Sequence, residues 1–310
     1  TMAKTVGILF GMERNFPHAL AQEITRRSGG DVVGEPVSVG HLRIDQKLPY
    51  DVILDRISHE VPFYRTMLKQ VVIQGGQVVN NPFWFSADDK YFGCLVAERV
   101  GVANPKTVLL PHQDHPPGTE SDSFSNLKFP LDWEEVFEYI GLPAFVKPAY
   151  GGGWKDVYRC KTPDEFLAAY RDSRDLCMMA QEEIDFSHYY RCYGIGREHV
   201  HLMEYSPKSP HHERYVKNPD PIEPDMEARL RRDVLALCGA LGYDFNTVEL
   251  AVRDGVPYAI DFTNPCPDAE PGSVGDANFA WVLEHAAEFL IHRARNPQPI
   301  EITGRWPETV

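Results

Sequence analysis

Three features of this sequence predict an α/β fold of two or three units, the first of them parallel. Short apolar strands alternate with helical stretches through the first eighty residues, the pattern of a parallel sheet with right-handed crossovers. A second strand-and-helix unit occupies 131–185, and strand-rich sequence runs over 189–205 and again over 247–264. The stretch 276–295 carries Phe279, Val282, Leu283, Ala286, Phe289 and Leu290 at helical spacing, as a helix with one face on a sheet does. At 310 residues the chain can bury a sizeable core and should divide into two or three units.

Taken in order, 5–11 is an apolar strand ended by Gly11, and 16–27 is helical. Strand 51–56 precedes a helix over 62–74, and Asn80-Asn81-Pro82 is a turn that closes the first unit. Ser86 is the expected N-cap of a helix over 86–101, with Asp88 and Asp89 favourable in its first turn. The stretch 112–125 reads as a surface loop, in which His112 and His115 are solvated rather than metal-bound. Strand 144–147, a helix over 163–171 and a long helix over 224–241 complete the expectation.

Composition narrows the function. The chain is 43% hydrophobic and 25% charged, with a net charge of −14, which argues against nucleic acid or an anionic membrane as a bulk partner. A local cationic pocket for an anionic nucleotide is not excluded. No apolar run is long enough to span a bilayer and no signal-peptide pattern is present, so a cytoplasmic protein is expected. The six cysteines show neither C-x-x-C nor zinc spacing and read as thiols in a reducing compartment, with Cys266 a small packing residue.

Three motifs carry chemistry. In the first, two strands joined by Arg253-Asp-Gly-Val256 each present an acid, Glu249 and Asp261, 12 positions apart across a hairpin, and Asn264 follows before a proline. Two carboxylates and an amide oxygen are hard ligands suited to Mg2+ carrying nucleotide phosphates. Because these acids interrupt otherwise apolar strands, they point to a site rather than a solvated hairpin. The second motif is Phe145-Val-Lys147-Pro-Ala-Tyr followed by Gly151, Gly152 and Gly153. It offers a lysine at a strand end and a loop whose N–H groups can approach phosphates unobstructed. It is neither a Walker A loop nor a Rossmann fingerprint. The third is an apolar strand running into Gln181, Glu182, Glu183, Ile184 and Asp185, the form of a hinge that offers backbone groups to an adenine edge and a carboxylate to a ribose.

The order of these motifs resembles the ATP-grasp superfamily: Lys90, then Lys147 with the glycine loop, then the hinge, then Glu249, Asp261 and Asn264. It looks closest to carboxylate–amine ligases of the RimK, glutathione synthetase and D-alanine–D-alanine ligase kind. The resemblance implies a substrate domain over 1–84, a lysine-bearing lobe over 85–180 and a metal-bearing lobe over 181–310. It implies that Lys90 and Lys147 contact ATP phosphates, that Gly151, Gly152 and Gly153 form the lid, and that Gln181, Glu182, Glu183 and Ile184 line the adenine pocket. A backbone bond to the base would come from Glu183 or Ile184. Glu249, Asp261 and Asn264 would hold two Mg2+ ions, with Mn2+ as an alternative, and Arg214 or Lys217 would supply a cation for the γ-phosphate. The chain departs from the family at two points. Asp261 and Asn264 are separated by two residues instead of one, which leaves a bulge or help from Asp268 to restore the geometry. The ribose carboxylate is Asp185 or is displaced by His188.

The activity so implied joins a small carboxylate and an amine, amino acids or peptides, through an acyl phosphate, with a homodimer as a family expectation. Arg56, ending a strand of the first domain, and Arg191, entering the central strands, are candidates for gripping a substrate carboxylate, with a structural ion pair the alternative for each. A hydroxyl kinase on the same frame and a non-catalytic ATP-binding protein are the competing readings.

Overall fold

The computed structural model describes residues 3–84, 89–210 and 213–302. Three four-stranded sheets organise them. The first is parallel throughout, in the order β2-β1-β3-β4, from β1 (Lys4–Leu9), β2 (Val32–Pro36), β3 (Val52–Asp55) and β4 (Gln77–Val79). Helix α1 (Phe16–Ser28) turns Phe16, Leu20, Ala21 and Ile24 inward, a single stripe at helical spacing, and stops at Gly29 in the left-handed region. Helix α2 (Pro62–Ile73) begins with the proline expected at a first turn and buries Met67, Leu68, Val71 and Val72.

The second sheet has the order β5-β8-β6-β7 and is antiparallel, from β5 (Thr107–Leu110), β6 (Ala144–Pro148), β7 (Tyr158–Cys160) and β8 (Met178–Glu182). Helices α4 (Trp133–Ile140) and α5 (Pro163–Asp172) cover it and are capped by Asp132 and Thr162. The expected loop over 112–125 contains one short 3-10 turn, Ser121–Phe124, and His112 and His115 stand on either side of the Phe124 ring at 4.4 and 5.2 Å between centroids.

The third sheet, β10-β9-β11-β12, is also antiparallel and holds the site's acids: β9 (His188–Ile195), β10 (His199–Glu204), β11 (Phe245–Arg253) and β12 (Val256–Asp261). Helix α6 (Pro224–Leu241) packs on it through Leu230, Val234 and Leu237. The helix expected over 86–101 is observed as α3 (Lys90–Arg99), capped by the Asp89 side chain, while Ser86 and Asp88 lie outside the described residues. Cys94, Val96 and Ala97 of α3 join the core under α6 and the third sheet, so Lys90 is held by the acid-bearing lobe. Gly242, which ends α6 at φ 75°, is needed twice over: any Cβ there would also lie 2.0 Å from the Trp84 ring.

A short turn, α7 (Pro271–Val274), leads into the final helix, α8 (Asp276–Arg295). α8 was expected on the acid-bearing sheet and does touch β9 and β10, but Val282, Ala286, Leu290 and Ile291 share a core with Phe16, Leu20 and Ile24 of α1. The last helix thus welds the first domain to the third sheet. Among the described residues no helix is long and apolar enough to cross a membrane.

Candidate active site

The β11–β12 hairpin turns at Asp254 (φ 52°) and Gly255 (φ 73°), two left-handed positions of the kind a tight hairpin requires. Pairing is regular from Arg253 opposite Val256 to Leu250 opposite Ala259 and then shifts by one residue. Regular pairing would set Ile260 against Glu249; the bulge sets Asp261 there, and Ile260 and Asp261 both reach the same cavity. The two carboxylates stand opposite each other because of this irregularity.

On the other side of β11, Arg191 of β9 is in register with Glu249. Its Nη1 lies 3.3 Å from Glu249 Oε1, its guanidinium stands 5.5 Å from the centre of the Tyr205 ring, and the buried Nε has no partner. The Tyr189 hydroxyl also donates to Glu249. Burial raises the Glu249 carboxyl above its ordinary range, against the pull of Arg191 and with the help of Asp261. Burial acts on Asp261 in the same sense, but there Lys90 and Lys147 outweigh it and hold the carboxyl low. Lys90 Nζ sits 3.0 Å from Asp261 Oδ1, which raises the ammonium's pKa.

Lys90, Tyr189, Glu249 and Asp261 stand on one wall of a cavity of about 580 Å3 whose opposite wall is the second sheet, and Arg191 does not line it. Lys147, on β6, enters from that side and binds the Gln181 amide oxygen at 2.8 Å. Burial, reinforced by Lys90, lowers its pKa. Its partner is a neutral amide, so its charge is not cancelled by contact with an acid. Gly151 (φ 86°) and Gly153 (φ 76°) take backbone conformations that suit glycine, and Trp154 (φ 61°) and Asp156 (φ 56°) follow in the same region. Nothing packs where Cβ atoms of Gly151, Gly152 and Gly153 would be, and Trp154 is 63% exposed at the cavity rim.

At the hinge the side chains are already engaged. Glu182 pairs with Arg253 at 2.6 Å, and Glu183 makes a two-pronged bond with Arg159 at 2.7 and 3.0 Å. The Glu183 N–H donates to the Pro143 carbonyl, which leaves Ile184 as the better placed of the two expected backbone donors.

Several expected residues are not brought to the cavity. Asp185 and His188 are exposed, and Phe186 and Tyr189 line the wall in their place; His188 stacks on Tyr190, with Glu204 4.0 Å away. Arg214 donates to the Ser209 carbonyl, and Lys217 is exposed away from the lining, whereas Lys208, which sequence reasoning passed over, stands at the cavity mouth 4.9 Å from the Phe186 ring. Asn264 is not placed beside Asp261. Its amide nitrogen donates at 3.0 Å to the Oγ1 of Thr247, two residues from Glu249 on β11, and its oxygen accepts from the Cys266 N–H. Asp268 is likewise committed, to Ser273 and to the Glu270 N–H.

Arg56 is a correction. It is fully buried, bonded through Nε and Nη2 to Glu13 at 2.7 and 2.6 Å and to the Pro267 carbonyl, with the rings of Phe16 and Phe245 about it. It does not line the cavity, and its guanidinium, whose buried Nη1 has no hydrogen-bond partner, is a structural tie between the end of β3 and the segment after β12.

Tyr189 was missed although the strand's period of two puts it on the same face as Arg191. Arg159 and Arg253 carried no local signal. Among the described residues no three His, Cys, Asp or Glu side chains gather into a metal cluster, so the acidic wall is a two-carboxylate site.

A D-alanine–D-alanine ligase from Bacillus anthracis, solved with ATP, superposes with a TM-score of 0.66 at 15% identity, covering 96% of this chain and 100% of that one. The VanG D-Ala:D-Ser ligase of Enterococcus faecalis gives 0.67 at 13% identity over 94% and 100%. An ATP-grasp RimK domain protein from Sphaerobacter thermophilus gives 0.64 at 16% identity over 93% and 99%. The chain has the ATP-grasp fold. In sequence, this ATP-grasp chain is 27% identical over 164 residues to D-alanine–D-alanine ligase B of Chromobacterium violaceum, a match that spans 49% of this chain and about half, 53%, of the relative. No family model matches it.

Proposed function

We propose that this ATP-grasp protein is an ATP-dependent carboxylate–amine ligase that activates a small acid as its acyl phosphate and releases ADP and phosphate. The observation that carries this reading is the convergence of Lys90, Lys147, Glu249 and Asp261 on one cavity between a glycine loop and a hinge strand. Two facing carboxylates fit Mg2+, which takes one or two protein carboxylates and completes its shell with water and phosphate oxygens. Bound there, the metal would supply charge neutralisation at the transferring phosphoryl group.

The chain's own residues do the remainder. The Ile184 N–H meets the adenine edge, and Lys147, uncancelled by its Gln181 partner, meets phosphate together with Lys90. Lys208 is in reach of the cavity mouth as the third cation, in place of Arg214 and Lys217. Arg191, which does not line the cavity, acts through Glu249, holding that carboxylate from behind the metal-facing wall at 3.3 Å. Closure of the 151–153 loop would exclude water from an intermediate that water destroys.

Incubation with Mg-ATP and pooled amino acids, followed by mass spectrometry, tests the reading. A ligase yields ADP, free phosphate and a mass equal to two components less water, and Lys147→Ala lowers that turnover about a hundredfold or more. ADP with a substrate gaining one phosphoryl group would make the protein a kinase, and normal turnover in Lys147→Ala would sink the assignment.

A further inference from the structure

The start of α1 is an unusual helix end. Asn15, its N-cap, makes no side-chain cap bond, and the first turn holds no acid. The exposed N–H groups are met from 254 residues away instead. One oxygen of Glu270 accepts from the N–H groups of Arg14, Asn15 and Phe16 at 3.3, 3.0 and 3.1 Å, and the other accepts from Asn15 Nδ2 at 2.7 Å. Burial acts to raise the Glu270 carboxyl, yet these donors outweigh it and hold it below its ordinary range.

The position of this contact gives it meaning. Glu270 lies nine residues beyond Asp261 and just after two ties: Arg56 donates to the Pro267 carbonyl and the Tyr193 hydroxyl to that of Asp268. The loop it grips follows β1 and carries Glu13. In the order β2-β1-β3-β4, the chain reverses its direction of travel between β1 and β3, and open parallel sheets take ligands outside the carboxyl ends of their strands at such a point. A substrate on the first domain would therefore be held by the very loop that Glu270 fixes.

We propose that Glu270 is a positioning residue: by capping α1 across the lobes it sets the 10–15 loop against the Glu249–Asp261 wall, so that an acid substrate held at the carboxyl edge of the first sheet meets the phosphate end of the cavity. This rests on the ligase reading. A helix cap alone would hold α1 and nothing more, whereas a positioning residue transmits occupancy of the cavity to the 10–15 loop.

Hydrogen exchange on the full chain, with and without the ATP analogue AMP-PNP and Mg2+, separates the two. In Glu270→Gln, amides 14–16 should exchange about fivefold faster without nucleotide, the size of a lost N-cap, and Glu270→Asp should recover part of the protection. In the wild type the analogue should slow exchange at 14–16 as well as at 147–153, and in Glu270→Gln only at 147–153. Unchanged exchange at 14–16 in Glu270→Gln would overturn the clamp. Wild-type protection at 147–153 with none at 14–16 would overturn its positioning role and leave a plain cap. No protection at 147–153 in the wild type would instead overturn the ligase reading on which the role depends. Should Glu270→Gln not fold, Asn15→Ala removes only the bond to Nδ2 and is read in the same way, with a smaller change.

Discussion

Two buried arginines, each held by a glutamate, differ in the geometry of that pair and in what it adjoins, although each leaves one buried nitrogen without a hydrogen-bond partner. Arg56 gives two bonds to Glu13 and one to a carbonyl, between two aromatic rings and away from solvent. Arg191 meets Glu249 at one longer contact of 3.3 Å and shares that carboxylate, which lines the cavity, with Tyr189. A two-pronged pair away from the cavity fixes structure. A single-contact pair whose carboxylate lines a cavity leaves that carboxylate able to take a new partner there, as ionisable groups at reactive sites do.

The largest effect should come from breaking the two-pronged pair. Arg56→Ala leaves the Glu13 carboxylate without its partner and should lower stability by about 3–5 kcal/mol, measured by urea unfolding. Arg56→Met combined with Glu13→Gln should recover most of that loss, because the charge left behind is gone. No recovery in the double variant would mean that the aromatic contacts and the Pro267 carbonyl bond, rather than the ion pair, hold the domains together.

Arg191→Met should show the opposite division. Stability should fall by less than half as much, since Glu249 keeps Tyr189 and faces Lys90, while turnover drops about 10- to 100-fold, the loss of a partner that holds a metal-facing carboxylate. A variant with wild-type turnover and Arg56-like instability would place both arginines in the structural class and remove the distinction.

That distinction was not legible in the sequence. Arg56 and Arg191 each end or enter an apolar strand, and what separates them is a glutamate 43 positions away in one case and a neighbouring strand in the other. The parallel first domain was legible because strand and helix alternate there between clear turns. The Glu249–Asp261 pairing was legible from a hairpin's arithmetic, but the bulge that completes it was not, since Ile260 looks like any other strand residue. Asn264 was misplaced for the related reason that spacing along a chain does not reveal where a strand ends and a turn begins. Contacts such as Glu270 on α1 join sequence-distant groups by tertiary geometry, and no local pattern encodes them.

The smallest effect sharpens the comparison through pH. Glu249 has a folded pKa above its ordinary value of 4.5, chiefly from burial. Between the unfolded and the folded value the native protein holds a proton that the unfolded chain has released, so this group makes stability fall as pH rises through that window. Glu249→Gln removes the slope. Without nucleotide or metal, the variant should match the wild type below pH 4.5 and be the more stable of the two at pH 7, with Mg-ATP-dependent stabilisation lost. Thermal unfolding across pH measures both. A wild type that is the more stable at pH 7 without ligand would show that Arg191 and Tyr189 satisfy Glu249 as fully as Arg56 satisfies Glu13, and the acidic wall would then be a structural pair and not a site held ready for a cation.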